Sequence, residues 1–279
     1  MNIITNQSVK NLQDEQNGKV IAVMVGISDY KAINDLNYCD DDIVDIEKAL
    51  KNSKMYKDAK ITKLIDSKAT KNGIKNAINQ YSGQLNPEDK FLFILSGHGT
   101  NNSNKVFLCP HDTYYMGDNL ISESELKQWL VSLSKDKQNP VKLGVYIDSC
   151  FSGGMIDGKT DDKNAVSKFI KLKNSDEKFN KPAKELSSIK NSVVVTASKA
   201  DEVSYETSEL KNGLFTYFLV EGLGETSEIG PADRNNDGKV SIEESFKYLN
   251  PKVVNYENLK DRQHPMMSDK FNDEYIIKQ

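Results

Sequence analysis

The sequence predicts an α/β fold with a mainly parallel central sheet and helices on both of its faces. Two observations lead there. Short apolar runs rich in β-branched residues alternate with amphipathic segments of helical period. Two of those runs also stop abruptly in small polar residues, which suits strand ends at the open edge of such a sheet.

The elements follow in order. Residues 19–27, KVIAVMVGI, form the first run, as expected for a strand buried on both faces. From Asp40 to Asn52, Ile43, Ile46 and Leu50 recur at helical spacing behind a start rich in Asp, which complements the helix dipole. Ile74, Ala77, Ile78 and Tyr81 mark a second helix. Residues 90–95, KFLFIL, are a second strand, ending in Ser96-Gly97-His98-Gly99, and a short strand from Lys105 to Cys109 precedes Pro110. Leu126, Trp129, Leu130 and Leu133 form another helix face. Residues 141–147, VKLGVYI, are a third buried strand, ending in Asp148-Ser149-Cys150-Phe151-Ser152-Gly153-Gly154. Residues 192–197, SVVVTA, make a fourth, and Phe215 to Leu223 a helix.

Composition narrows the function. The chain has 279 residues, is 37% hydrophobic and carries a formal net charge of −4 with both signs mixed. That balance supports a sizeable core and argues against nucleic acid as a partner. No apolar stretch approaches the ~20 residues that span a bilayer, and the start does not read as a signal peptide, so no membrane partner and a cytoplasmic location are expected. Three cysteines, Cys39, Cys109 and Cys150, are too few and too uneven for a disulfide framework and suit a reducing compartment.

His98 and Cys150 each sit just beyond a strand end, flanked by glycines. A thiol attacks as its thiolate, so it needs a base or a lowered pKa, and an imidazole can take the proton and return it to a leaving amine. Parallel strands ending at one sheet edge bring such groups together. The N–H groups of Gly99 and Cys150 are candidates for an oxyanion hole. Against this stands the reading of Cys150 as a small core residue, which is the reading taken for Cys109. His111 and His264, beside prolines, are read as structural.

The motif Ser96-Gly-His-Gly99 after one strand and Asp148-Ser-Cys150-x-Ser-Gly after another resembles the caspase and metacaspase family, whose His lies about 50 residues before the Cys. Further similarities are Val25-Gly-Ile-Ser-Asp-Tyr30, residues 36–42, residues 108–112, Ala197-Ser-Lys, residues 213–216 and Gln263-His-Pro265. Asp148-Ser-Cys150 replaces the Gln-Ala-Cys of animal caspases, so the chain is more similar to metacaspases and bacterial caspase-like proteins. The resemblance implies a caspase-hemoglobinase-like three-layer sandwich and a cysteine endopeptidase that acts on proteins as a monomer. It also implies an acidic pocket from Cys39, Asp42, Ser96 and Asp148, the four positions that match the metacaspase pocket. Two carboxylates favour a cation, so cleavage after Arg or Lys is expected. The competing reading for Asp40, Asp41 and Asp42 is helix capping, more apt for Asp40 than for Asp42.

The chain divides into an extension (1–18), a catalytic region (19–157), a polar Lys-rich loop (158–191) and a closing region (192–279), forming one catalytic domain. The loop, with many lysines and no arginine, is the expected place for self-cleavage. Residues 233–244, DRNNDGKVSIEE, fit the twelve-residue EF-hand loop, with Asp233, Asn235, Asp237, the Lys239 carbonyl, Ser241 and Glu244 as calcium ligands and Gly238 at the turn. Phe246 and Leu249 mark the exiting helix, while Gly230 and Pro231 interrupt the entering side. Two other function classes compete: a catalytically idle calcium-binding interaction module with the same fold, and another acyl-transfer enzyme using the same thiol.

Overall fold

The computed structural model describes residues 18–102, 105–150, 165–168, 185–199, 202–224 and 229–279. The expected N-terminal extension, Gly153 and Gly154, and most of the polar loop lie outside the described residues.

Three parallel strands come first in the chain: β1 (Val20–Gly26), then, past helix α1 (Cys39–Lys51), β2 (Lys60–Ile65), and past α2 (Lys71–Asn79), β3 (Lys90–Ser96). A small antiparallel sheet follows, β4 (Gly99–Asn102), β5 (Lys105–Leu108) and β6 (Ile121–Ser122), leading into α3 (Glu123–Val131). Next come β7 (Lys142–Asp148), the short β8 (Ala165–Ser167), β9 (Ser192–Thr196), β10 (Tyr205–Thr207), β11 (Asn212–Gly213) and α4 (Leu214–Leu223). The chain closes with β12 (Val240–Ser241), α5 (Ile242–Val254), β13 (Met266–Asp269) and β14 (Ile276–Lys278).

The central sheet has the order β13-β9-β7-β3-β1-β2, parallel except at the β13 edge. Because side chains alternate across a strand, each inner strand feeds two cores. Ile21, Val23, Val25, Phe91, Phe93, Leu143 and Val145 pack with Ile74 and Ile78 of α2 and Leu126 and Leu130 of α3. Ala22, Met24, Leu92, Ile94 and Tyr146 pack with α1, α4 and α5 on the other face. This is the three-layer sandwich expected of the sequence.

The helix ends have local causes. Ser122 accepts a bond from the Glu125 N–H while Glu125 reaches back, a capping box that starts α3; Ser241 and Glu244 do the same for α5. By contrast α1 starts at Tyr38 with no cap of its own. The buried Glu206 of β10 supplies one, accepting from the N–H groups of Asn37 (2.7 Å) and Tyr38 (3.1 Å). A carboxylate there also meets the positive end of the helix dipole.

The reading of residues 158–191 as one loop needs correction where it is described. Residues 165–167 pair as a strand with β10, and Leu186 and Ile189 are buried in the α2/α3 core. Within residues 185–191 these two apolar side chains stand three apart among polar neighbours, too sparse a pattern to announce burial. The sequence also conceals β2, an edge strand whose lysines at 60 and 63 break its apolar pattern. No helix among the described residues is long and apolar enough to cross a membrane.

Phe93 lies at the middle of β3, between β1 and β7, and is fully buried. Phe93→Ala is expected to destabilise the fold by about 3–5 kcal/mol. Urea unfolding checks this as a lower midpoint with an unchanged slope.

Candidate active site

The site lies at the carboxyl ends of β3 and β7, which are neighbours in register: Ser96 faces Asp148, and the Gly97 N–H donates to the Asp148 carbonyl at 3.2 Å. His98 and Cys150 therefore leave the sheet side by side, as the strand pattern predicts. Gly99 is pressed against the nucleophile's backbone, where an added Cβ would come within 1.9 Å of the Cys150 carbonyl oxygen. Only glycine lets these two strand ends approach so closely.

His98 is buried. Its Nε2 is 2.9 Å from the Asn34 carbonyl oxygen and its Nδ1 is 2.8 Å from that of Lys168. A neutral imidazole carries one proton, so it satisfies only one of these oxygens at a time. Burial, the largest influence, pulls the His98 pKa below its ordinary value, against the two carbonyl contacts that raise it. Tyr30 fixes the segment from the side: its hydroxyl accepts from the His98 N–H at 2.7 Å, and the two rings lie 4.9 Å apart.

Cys150 differs from the expectation of a direct thiol–imidazole contact. Its Sγ accepts from the Ser204 N–H at 2.6 Å and donates to the Ser204 carbonyl at 3.1 Å. Among the described contacts of either residue, neither includes the other. Burial pushes the Cys150 thiol up to about 12, so in this arrangement it is protonated. A neutral buried thiol needs one donor and one acceptor, and the backbone of Ser204 offers both.

The four residues of the expected acidic pocket do assemble, around a cation that is already present. Lys168 is fully buried, and its Nζ donates to Asp42 Oδ2 at 3.0 Å and Ser96 Oγ at 2.8 Å and sits 3.0 Å from Asp148 Oδ2. An ammonium has three protons, and here three acceptors meet them. Asp42 also accepts from Ser96 Oγ (2.6 Å), the Gly213 N–H (2.7 Å) and Asn212 Nδ2 (3.2 Å). Asp148 accepts from Ser204 Oγ (2.6 Å) and Thr216 Oγ1 (2.8 Å). Cys39 borders the pocket, 4.0 Å from Glu206. Burial works against the Lys168 charge, but Asp148 and then Asp42 outweigh it, so the lysine holds its proton firmly. Asp40, by contrast, accepts from Ser28 Oγ at 2.5 Å, and that same hydroxyl accepts from the Asp40 N–H at 3.2 Å, so it is Ser28 and not the Asp40 side chain that meets a free N–H at the start of α1.

The backbone of Lys168 is held as well. Its carbonyl accepts from the Gly99 N–H at 3.1 Å, and its N–H donates to the Ser204 carbonyl at 2.9 Å. Upstream, Ser167, Val166 and Ala165 pair antiparallel with Tyr205, Glu206 and Thr207. An extended segment thus adds a strand to β10 and drops one basic side chain into the acidic pocket, a recognised mode of peptide binding.

Sequence reasoning missed several of these participants. Gly213 forms a pocket wall: a Cβ there would lie 2.4 Å from Asp148 Oδ2 and 2.5 Å from Lys168 Nζ. Ser204 and Thr216 orient Asp148, and Glu206 ties β10 to the start of α1. Ser204 and Glu206 are common residues in short segments without period, so no local signal marks them, while Gly213 and Thr216 are marked only as the ends of the 213–216 resemblance. Cys109 is buried in the α2/α3 core, and burial raises its pKa, as expected of a core thiol. His111 Nδ1 lies 2.7 Å from the Asp29 carbonyl oxygen, and His264 pairs with Glu202. All three cysteines are free thiols.

The calcium-type loop follows its motif in order. Asp233 accepts from the N–H groups of Asp237 (3.2 Å) and Gly238 (3.0 Å), Asn235 from Asp237 (2.9 Å), and Asp237 from Lys239 (2.9 Å). Gly238 takes a positive φ of 79°, the turn its position requires. Glu244 bonds the N–H groups of Ser241 and Arg234. Among the described residues no three His, Cys, Asp or Glu side chains gather closely enough to hold a metal. The donor types are hard oxygens that suit calcium.

A fold with a parallel sheet between helical layers, carrying a histidine and a cysteine on adjacent strand ends, defines a cysteine-peptidase-type hydrolase. Residues 19–276 match the caspase domain model, and the chain belongs to that family. Two solved structures share the fold. Protein GSU0716 from Geobacter sulfurreducens is 17% identical, with a TM-score of 0.62 over 89% of this chain and 92% of that one. Caspase-1 from Spodoptera frugiperda is 13% identical, with a TM-score of 0.61 over 94% of this chain and 90% of that one. No curated protein matches the sequence.

Asp148→Asn leaves the buried ammonium paired with Asp42 alone and removes its charged contact with Asp148. It is expected to destabilise the chain by about 1–3 kcal/mol. Adding Lys168→Met takes the cation from the buried Asp42 as well and should deepen the loss, and a double-mutant cycle of urea unfolding measures the coupling.

Proposed function

We propose that the chain is a cysteine endopeptidase that cleaves after Lys or Arg. The single observation that carries this reading is the buried ammonium shared by Asp42, Asp148 and Ser96, on a residue whose carbonyl meets the Gly99 N–H.

In the reaction a substrate strand pairs with β10 and seats its basic side chain in the pocket. The Gly99 N–H polarises the scissile carbonyl. Asn34 holds the proton on His98 Nε2, leaving Nδ1 free as the base. Cys150 turns from Ser204, gives its proton to Nδ1, and its sulfur attacks the carbonyl carbon. The C–N bond breaks as the imidazolium protonates the departing amine. Water, deprotonated by His98, then attacks the thioester and releases the acid, restoring the thiol. A lowered His98 pKa keeps the ring neutral and basic near pH 7, so activity is expected to fall as pH drops through that pKa.

The burial of Cys150 against Ser204 is the observation that favours a catalytically idle binding module. A lysyl chloromethylketone separates the two readings, because an idle scaffold leaves Cys150 unlabelled. Fluorogenic peptides differing only in the residue before the bond test specificity. Turnover is expected with Lys and Arg, to fall by at least about 100-fold in Asp148→Asn and Gly213→Val, and to vanish in Cys150→Ala. Preferred cleavage after Asp would overturn the proposal.

For the loop at 233–244 we propose calcium binding through Asp233, Asn235, Asp237, the Lys239 carbonyl, Ser241 and Glu244, with the ion bracing the start of α5. Titration calorimetry should give heat with the wild type and little with Asp237→Ala; equal heats would count against the site.

A further inference from the structure

We infer that Tyr114, Tyr115 and Met116 form a subsite for apolar side chains that follow the scissile bond of a substrate. The inference rests on the proposed peptidase activity and adds to the acidic pocket a second determinant of its specificity.

Tyr114, Tyr115 and Met116 are 38%, 57% and 49% exposed, the only consecutive large apolar side chains open to solvent among the described residues. Single exposed apolar residues are ordinary, but a contiguous group marks a place where another surface docks. The residue types fit that use: tyrosine gives wide contact for few rotatable bonds, and methionine adapts to varied shapes. The patch is also held in place. The Gly117 N–H donates to the Tyr114 carbonyl at 2.8 Å and closes a turn, with Gly117 at a positive φ of 87°. Below it, Asp112 accepts from the Lys71 N–H at 2.8 Å, and its carbonyl accepts from Asn119 Nδ2 at 3.1 Å. Tyr114 forms a bridge with Ala32, the Lys31 N–H donates to the His111 carbonyl at 3.0 Å, and Lys31 Nζ lies 5.3 Å from the centre of the Tyr114 ring. A platform fixed in this way loses little freedom when a ligand settles on it.

Its place at the sheet edge assigns the occupant. The loop that Tyr114 joins is the loop that orients His98, through the Asn34 carbonyl on Nε2 and the Tyr30 hydroxyl on the His98 N–H. Ala32 is two residues from Asn34, at most about 7 Å along the chain. The imidazole therefore stands between two sides of the site. Its Nδ1 faces the Lys168 carbonyl, at the end of the strand that lies along β10. Its Nε2 faces the loop to which the patch is fixed. Residues before the bond follow β10, so a peptide that crosses the dyad carries the residues after the bond toward Tyr115 and Met116.

Two internally quenched peptides test this, identical up to a lysine and continuing with Gly-Leu-Phe-Gly or with Gly-Ser-Ser-Gly. Beside them stands a lysyl-aminomethylcoumarin peptide, which has no residue beyond the bond. The wild type should cut the Leu-Phe peptide with a kcat/KM about tenfold above that of the Ser-Ser peptide. In the double variant Tyr115→Ser, Met116→Ser that ratio should fall to about one, through the Leu-Phe peptide alone. Tyr115→Phe with Met116→Leu should keep the preference, because apolar surface is what the subsite offers. Equal turnover of the two longer peptides by the wild type would overturn the inference, and so would a ratio that survives in the serine variant. A loss on the coumarin peptide as large as that on the Leu-Phe peptide would mark a general defect and overturn it as well. Hydrolysis of the coumarin peptide with no preference between the longer two would leave the peptidase reading standing. No hydrolysis of any of the three would overturn both.

Discussion

The site depends on one electrostatic arrangement: a single ammonium between two buried carboxylates. Two carboxylates this deep repel each other and resist desolvation, so a cation is what lets them coexist as anions. Each is also braced by neutral donors, Asp42 by Ser96, Asn212 and Gly213 and Asp148 by Ser204 and Thr216. These partners come from β3, β11, α4 and the turn before β10. The pocket therefore draws together segments from distant parts of the chain.

The same geometry accounts for the resting contacts of His98 and Cys150. β8 lies along β10 with Lys168 seated, and Cys150 exchanges both of its hydrogen bonds with Ser204, next to that strand. The thiol is neutral and the imidazole ring faces two carbonyls.

Membership of the caspase family accounts for the scaffold, while the selectivity proposed here comes from particular side chains. Glycine at 213 keeps the pocket open, and Glu206 holds the start of α1 so that Asp42 points inward. Fold relatives at 13% and 17% identity share the sheet and helices with this chain. Such likeness carries no information about which side chain a pocket accepts, because a few residues decide that.

By itself the sequence determined what local chemistry determines. Buried strands announced themselves by unbroken apolar runs, helices by period, and His98 and Cys150 by glycine-flanked strand ends. The pocket roles of Asp42 and Asp148 were legible only through resemblance: helix capping competed for Asp42, and Asp148 reads locally as the polar end of a strand. Lys168 was not legible at all: it is one lysine among many in a polar stretch. Ser204 and Glu206 were equally silent, and Gly213 showed only within the 213–216 resemblance. Their roles arise from contacts across more than 50 residues of sequence, such as Ser204 to Asp148 and Glu206 to Asn37. Only the tertiary structure decides such pairings, because a polar group's partner is set by where the sheet edge brings the chain, not by its neighbours in sequence.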